Sequence, residues 1–127
     1  IFKPGDHAST FGGNALAMAG VNEMVRRLND PEFTDAVQQM GSYLREKLVQ
    51  LAALYPTLCG EVRGMGLING MVLTVSPRKV VDACFERGLL VASAGYDVLR
   101  FVPPLIVRQQ DIDKALAIVE QALASLL

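Results

Sequence analysis

Leu89-Leu-Val-Ala-Ser-Ala-Gly-Tyr-Asp-Val-Leu-Arg-Phe-Val-Pro-Pro104 is the stretch on which the fold turns. Leu89–Ala92 reads as a buried strand, Ala94-Gly95-Tyr96-Asp97 as a turn, and Val98–Val102 as the next strand, closed by Pro103-Pro104. So short a connection joins antiparallel neighbours, because a parallel crossover needs roughly a dozen residues or more.

The flanking segments supply the other layer. Ser76-Pro77 opens a helix over about 77–87 that Gly88 ends. Before it, Leu67–Val75 is rich in apolar and β-branched residues and reads as a strand, while Glu61–Arg63 reads as a shorter one interrupted by Gly64. Asp30-Pro31 starts a long helix to Tyr55, with Asp30 as cap and Glu32 on the favourable end of the dipole. Its apolar positions Phe33, Val37, Met40, Leu44, Leu48, Leu51 and Leu54 recur at steps of three and four, and Pro56 stops it. A last helix over about Asp111–Leu126 places Ile112, Ala115, Leu116, Val119, Ala122, Leu123 and Leu126 on one face. A first helix from Asn14 to about Leu28 carries Ala17, Val21, Met24, Val25 and Leu28 on one face, and its half Ala15–Gly20 is small and apolar nearly all round. The order predicts an α+β fold: a small antiparallel sheet with helices packed on one face, preceded by a linking helix. A boundary near Asn29-Asp30 separates residues 1–29 from residues 30–127.

Composition narrows the function classes. The chain has 127 residues, of which 51% are hydrophobic, and its mean hydropathy is +0.31. No apolar run reaches the ~20 residues that span a bilayer, and no signal-peptide pattern is visible. A net charge of −1, with cations scattered among acids, gives no electrostatic case for nucleic acid. Cys59 and Cys84 fit no zinc or CxxC spacing and are expected to stay reduced, as in a cytoplasmic protein. No His/Cys/Asp/Glu cluster has metal-ligand spacing.

Chemistry is suggested at two places. In the first, Ser9 and Thr10 stand just before Gly12-Gly13-Asn14, and a helix follows at once. Hydroxyls donate hydrogen bonds, glycines let the backbone approach closely, and a helix N-terminus attracts anions, so a phosphate suits such a loop. From the spacing alone, an ordinary glycine turn before a helix with a Ser/Thr cap is the better reading. In the second, Arg100 stands between Leu99 and Phe101 on a predicted strand; the residues alone suit a structural salt bridge or the solvent side of an alternating strand. Arg63 reads as a structural ion pair tying strand to helix, and His7, the one histidine, as a loop-structuring residue.

Four segments together carry a family resemblance. His7-Ala-Ser-Thr-Phe-Gly-Gly-Asn14 resembles the HGSTFGGNP loop of class III pyridoxal-phosphate aminotransferases, the group containing acetylornithine, ornithine and 4-aminobutyrate aminotransferases. Val62-Arg-Gly-Met-Gly-Leu67 resembles that family's VRGxGL, Gly88-Leu-Leu-Val91 its strand after the small-domain helix, and Val98–Leu105 its substrate-arginine segment. The likeness covers essentially the whole chain, and the wording of the last segment is most similar to the acetylornithine/succinylornithine branch. Ala15 stands where the family usually has Pro, and Met65 where it often has Lys.

The resemblance implies the C-terminal portion of such an enzyme. Residues 1–29 would be the phosphate loop and linking helix of a large domain, and residues 30–127 the small domain. It implies pyridoxal 5'-phosphate as cofactor, a homodimer in which Thr10, assisted by Ser9, reaches across to the partner's cofactor phosphate, and Arg100 gripping a substrate α-carboxylate. The reaction implied is amino transfer from N-acetylornithine, or a related donor, to 2-oxoglutarate, as in arginine biosynthesis. The cofactor also needs a lysine, and Lys3, Lys47, Lys79 and Lys114 lie outside any family motif, so that residue is expected upstream. The rival reading is a non-catalytic α+β module for small-molecule binding or oligomerisation, which needs no lysine.

Overall fold

The computed structural model describes residues 3–6 and 8–127. The elements run α1 (Ala15–Leu28), α2 (Pro31–Leu54), β1 (Cys59–Met65), β2 (Ile68–Leu73), α3 (Pro77–Glu86), β3 (Ala92–Ala94), β4 (Val98–Phe101) and α4 (Gln109–Ala124). The chain forms two compact units, one up to Thr34 and the other from Asp35 to Leu127.

In the first unit, the Asn14 side chain accepts the Ala17 N–H at 2.9 Å and so caps α1. No residue of α1 is buried. On its surface, Glu23 receives both Arg26 and Arg27, at 2.9 and 2.7 Å, and these hydrogen bonds, Arg26's first, hold its carboxyl down to about 2. The Asp30 carboxylate accepts the Glu32 N–H at 3.0 Å, so Asp30 and Pro31 start α2 as their residue types predict.

In the second unit, the four strands form one antiparallel sheet in the order β1-β2-β4-β3. The pairings Val62↔Met71↔Leu99 and Gly64↔Asn69↔Phe101 define the face turned to the core. There Met71 and Leu99 meet Leu44, Leu48 and Leu51 of α2, Val80 and Cys84 of α3, and Ile112, Leu116, Val119 and Leu123 of α4, all buried in one cluster. The Tyr43 hydroxyl donates to an Asp113 carboxylate oxygen at 2.6 Å and ties α2 to α4. The helix-on-one-face architecture expected from the sequence is the one found. Among the described residues, no helix is long and apolar enough to cross a membrane.

Several boundaries differ from the periodicity. The third strand is Ala92–Ala94 and not Leu89–Ala92, because its pairing is set by the three-residue loop Gly95-Tyr96-Asp97, which aligns Ala94 with Val98 and Ala92 with Arg100. Gly95 at φ 62° makes that turn possible. Glu61–Arg63 is not cut short at Gly64: β1 continues to Met65, with an irregular register between Cys59 and Val62, and turns at Gly66, φ 54°. Helix α4 begins at Gln109, two residues early, because the Asp111 carboxylate reaches back to the Arg108 N–H.

Periodicity also gave no sign of the closest approach in this unit. A Cβ on Gly41 of α2 would lie 2.5 Å from the backbone carbon and oxygen of Gly66. Beside it, buried Asn69 donates from Nδ2 to the Gly66 carbonyl at 2.8 Å, holding the β1–β2 turn under the helix.

Two predictions follow from this packing. A Gly→Ala change inside a helix ordinarily gains about 1 kcal/mol, but Gly41→Ala is expected to cost about 1–3 kcal/mol by overpacking against backbone. Urea unfolding measures it, and a raised midpoint would contradict the packing. Cys59 and Cys84 are both free and buried, and burial pushes the Cys59 thiol from 9.0 up to about 11. The unfolded chain then binds fewer protons than the folded one between these values, so stability should fall as pH rises from about 9 to about 11. Cys59→Ala should flatten that decline in a pH series of melting curves.

Candidate anion-binding site

From Val62 onward the paired strands keep one register, so residues between the core positions stand on the helix-free face. Arg63 pairs with Gly70, and Gly70 pairs in turn with Arg100, which pairs with Ala92. One row across the sheet therefore reads Arg63, Gly70, Arg100, Ala92. Arg100 is there because Leu99 and Phe101, its neighbours on β4, are buried beneath the helices. Among the described residues, no carboxylate lies within salt-bridge distance of the Arg100 guanidinium. The row borders an open concavity of about 560 Å³ that includes Arg63, Gly70, Asp97 and Arg100. A second hollow, of about 260 Å³ between Leu89–Val91 and Pro103-Pro104, is apolar apart from Asp111 and offers no cation to an anionic ligand.

Arg63 does not tie strand to helix as its sequence context suggested. Its side chain is exposed on the far side of the sheet from the helices, and its acidic neighbour is Glu61 of the same strand, at 3.9 Å. The tie is made by Arg45 of α2, whose guanidinium donates to the Gly64 carbonyl at 3.1 Å. Gly70 is a position that motif reading passes over. An interior strand glycine marks a close approach, and a Cβ here would come within 2.7 Å of a Val98 methyl.

In the first unit, the Ser9 Oγ accepts the Gly12 N–H at 2.8 Å, which leaves its own proton free to donate. A Cβ on Gly12 would lie 2.7 Å from that oxygen, so a larger residue would push the Ser9 side chain out of this bond. Gly13 follows at φ 75°, and Asn14 caps α1. Thr10 is exposed, and its hydroxyl has no hydrogen-bond partner among the described residues. Two hydroxyls free to donate, held beside the start of α1, suit the phosphate of a cofactor such as pyridoxal phosphate. Ser9 and Thr10 belong to one unit and Arg100 to the other.

His7 lies outside the described residues. Lys47 sits with its ammonium 5.5 Å from the centre of the Tyr43 ring, a packing role on α2. Among the described residues no group of His, Cys, Asp and Glu could hold a metal ion.

A hydroxyl-and-glycine loop before a helix, with an exposed arginine further along the chain on the open face of a small antiparallel sheet, is the pattern that the resemblance to class III aminotransferases implies. The class-III aminotransferase family matches residues 1–123, and the chain belongs to that family. It is 45% identical to the acetylornithine aminotransferase of Synechocystis sp. over 99% of its own length and 30% of that protein's. It is 47% identical to the acetylornithine aminotransferase of Thermosynechococcus vestitus, over 99% of itself and 32% of that protein. Among solved structures, it superposes on the acetylornithine aminotransferase of Elizabethkingia anophelis with a TM-score of 0.82 and 28% identity, covering 98% of this chain and 33% of that one. A lysine aminotransferase from M. tuberculosis gives 0.86 and 31%, covering 98% and 29%. The chain thus spans about a third of the length of the relatives it matches. Class III aminotransferases are pyridoxal-phosphate enzymes.

Proposed function

We propose that this chain is the C-terminal part of a pyridoxal-phosphate-dependent aminotransferase that moves the δ-amino group of N-acetylornithine to 2-oxoglutarate, a step of arginine biosynthesis. The observation that carries the reading is Arg100: a guanidinium with no carboxylate partner among the described residues, set in a strand that resembles the family's substrate-arginine segment. Identity of 41–47% over nearly the whole chain to acetylornithine aminotransferases supports this donor.

Each residue has a defined task. Arg100 holds the α-carboxylate of donor and acceptor by two parallel N–H···O bonds, which fixes the substrate's orientation. Thr10 donates its hydroxyl to the cofactor phosphate of the partner subunit in a homodimer, with Ser9 donating beside it. Gly12 and Gly13 shape the loop that presents both hydroxyls. When bound, the cofactor supplies an aldehyde that takes up the amino group and an electron sink for the bond that must break. The lysine that would hold it lies outside these 127 residues in this reading, and the enzyme works in the cytoplasm.

Two substitutions test the assignment in the enzyme that carries this chain. Thr10→Val should weaken cofactor binding by about 1–3 kcal/mol, the loss of a hydrogen bond to a charged group; unchanged affinity in a spectroscopic titration would remove Thr10 from the phosphate site. Arg100→Lys keeps the charge but not the planar fork. It should lower kcat/KM for both N-acetylornithine and 2-oxoglutarate, since each carries the gripped carboxylate, whereas wild-type kinetics with both would make Arg100 a surface residue.

A further inference from the structure

We propose that Asn69-Gly70 is a self-modification site gated by the β1–β2 hairpin: it is shut in the folded chain and deamidates when the hairpin opens, after which the hairpin cannot close as before. The proposal does not depend on the activity assigned above.

The sequence supplies the chemistry. The asparagines of the chain are Asn14, Asn22, Asn29 and Asn69, followed in turn by Ala15, Glu23, Asp30 and Gly70. Deamidation begins when the backbone nitrogen of the next residue attacks the asparagine side-chain carbon, and glycine, with no side chain to obstruct the approach, is the most favourable successor. The Gly70 nitrogen forms a bond to Cγ of Asn69, the Cγ–Nδ2 bond breaks, and the amide nitrogen leaves as ammonia with the Gly70 proton. Water then opens the cyclic imide at either of its carbonyls and leaves aspartate or isoaspartate. Water is the one other reactant, and nothing is oxidised or reduced.

The fold withholds the reaction at the one place where the sequence invites it. Asn14, Asn22 and Asn29 are exposed, whereas Asn69 is 1% exposed. Its Nδ2 donates to the Gly66 carbonyl at 2.8 Å, and a Cβ on Gly64 would lie 2.8 Å from its Oδ1, so backbone stands close to both ends of the amide. Gly70 lies on the central strand β2, paired with Arg63 on one side and Arg100 on the other, so its N–H belongs to a ladder. To attack Cγ, that nitrogen must turn back toward the Asn69 side chain, and the extended strand backbone, with ψ of about +135°, holds it away. The hairpin has to leave its place under α2 before the two atoms can meet.

The products do not fit the place that Asn69 vacates. Aspartate has no N–H for the Gly66 carbonyl, so two acceptors would face each other where a hydrogen bond stood, and a charge would be buried with them. Isoaspartate routes the main chain through the former side chain and adds one carbon to it, which puts fully buried Met71 out of step with its partners Val62 and Leu99. A chain that stays open is thus converted to one that cannot regain this register, and the site retires opened copies irreversibly.

The test is peptide mapping by mass spectrometry on the protein that carries this chain, aged in mildly alkaline buffer with and without unfolding urea. In urea, Asn69 should convert ahead of Asn14, Asn22 and Asn29. Without urea it should convert at least about a hundredfold more slowly, because attack is confined to the open fraction. Gly41→Ala, which crowds Gly66, should speed the native reaction about tenfold and leave the rate in urea unchanged; urea below the unfolding transition should speed it in the unaltered protein. Asn69→Asp should lower the urea midpoint and open the β1–β2 turn to protease. Equal rates with and without urea, or a native rate that neither Gly41→Ala nor low urea moves, would overturn the gate. An Asn69 no faster than Asn22 in urea would overturn the chemistry, and an unchanged midpoint in Asn69→Asp would overturn the one-way step.

Discussion

The burial of Leu99 and Phe101 beneath the helices governs the chemistry of the opposite face. Leu99 is fully enclosed and Phe101 is 6% exposed, so the residue between them has to point the other way. A strand's side chains alternate with a period of two, and a slip by one residue would bring a guanidinium into the core and a leucine out of it. Burying that charge without a partner would cost several kcal/mol. The hydrophobic core therefore fixes the register, and the register aims Arg100. Transmitted through the β2 pairing, the same constraint places Arg63 in the same row.

The hairpin β1–β2 must in turn be held at one height relative to α2, and this is the work of small residues. Gly41 lets the helix backbone come close to Gly66, and Asn69 reaches from under the helix to the Gly66 carbonyl. The Oδ1 of Asn69 is buried and accepts no hydrogen bond among the described residues. A buried acceptor left unpaired is costly, so the side chain is held there by its Nδ2 bond and by packing. Its cost is the counterpart of a turn that brings Arg63 into line two strands away from Arg100.

Much of this could be read from the residues. Helices α1, α2, α3 and α4 follow from apolar residues at steps of three and four bounded by Asn14, Asp30-Pro31, Ser76-Pro77 and Gly88, since capping and periodicity are local. The exposed place of Arg100 between two apolar strand residues, and the Ser9-Thr10 pair ahead of the α1 cap, are likewise legible locally. The edges of the strands were not, because pairing is a relation between distant segments: Leu89–Val91 is as apolar as a strand but has no partner at that height, and Ala92–Ala94 does. Arg63 was misread for the same reason. Its neighbours Val62 and Gly64 say nothing about which face lies under the helices until Met71 and Leu99 are paired with Val62. The part played by Gly70 depends on what stands on either side of it in space, and a single chain does not display that.

The edges of the sheet have a consequence of their own. An exposed strand edge offers unpaired N–H and C=O groups to any other chain and is a common seed of aggregation. Here one edge, β3, is three residues long, and the other, β1, breaks its register between Cys59 and Val62. Irregularities of that kind twist an edge away from a flat template. Short and irregular edges give another strand little flat template to pair with, so association of this sheet with other chains is left to its faces and side chains, where shape and charge can choose the partner.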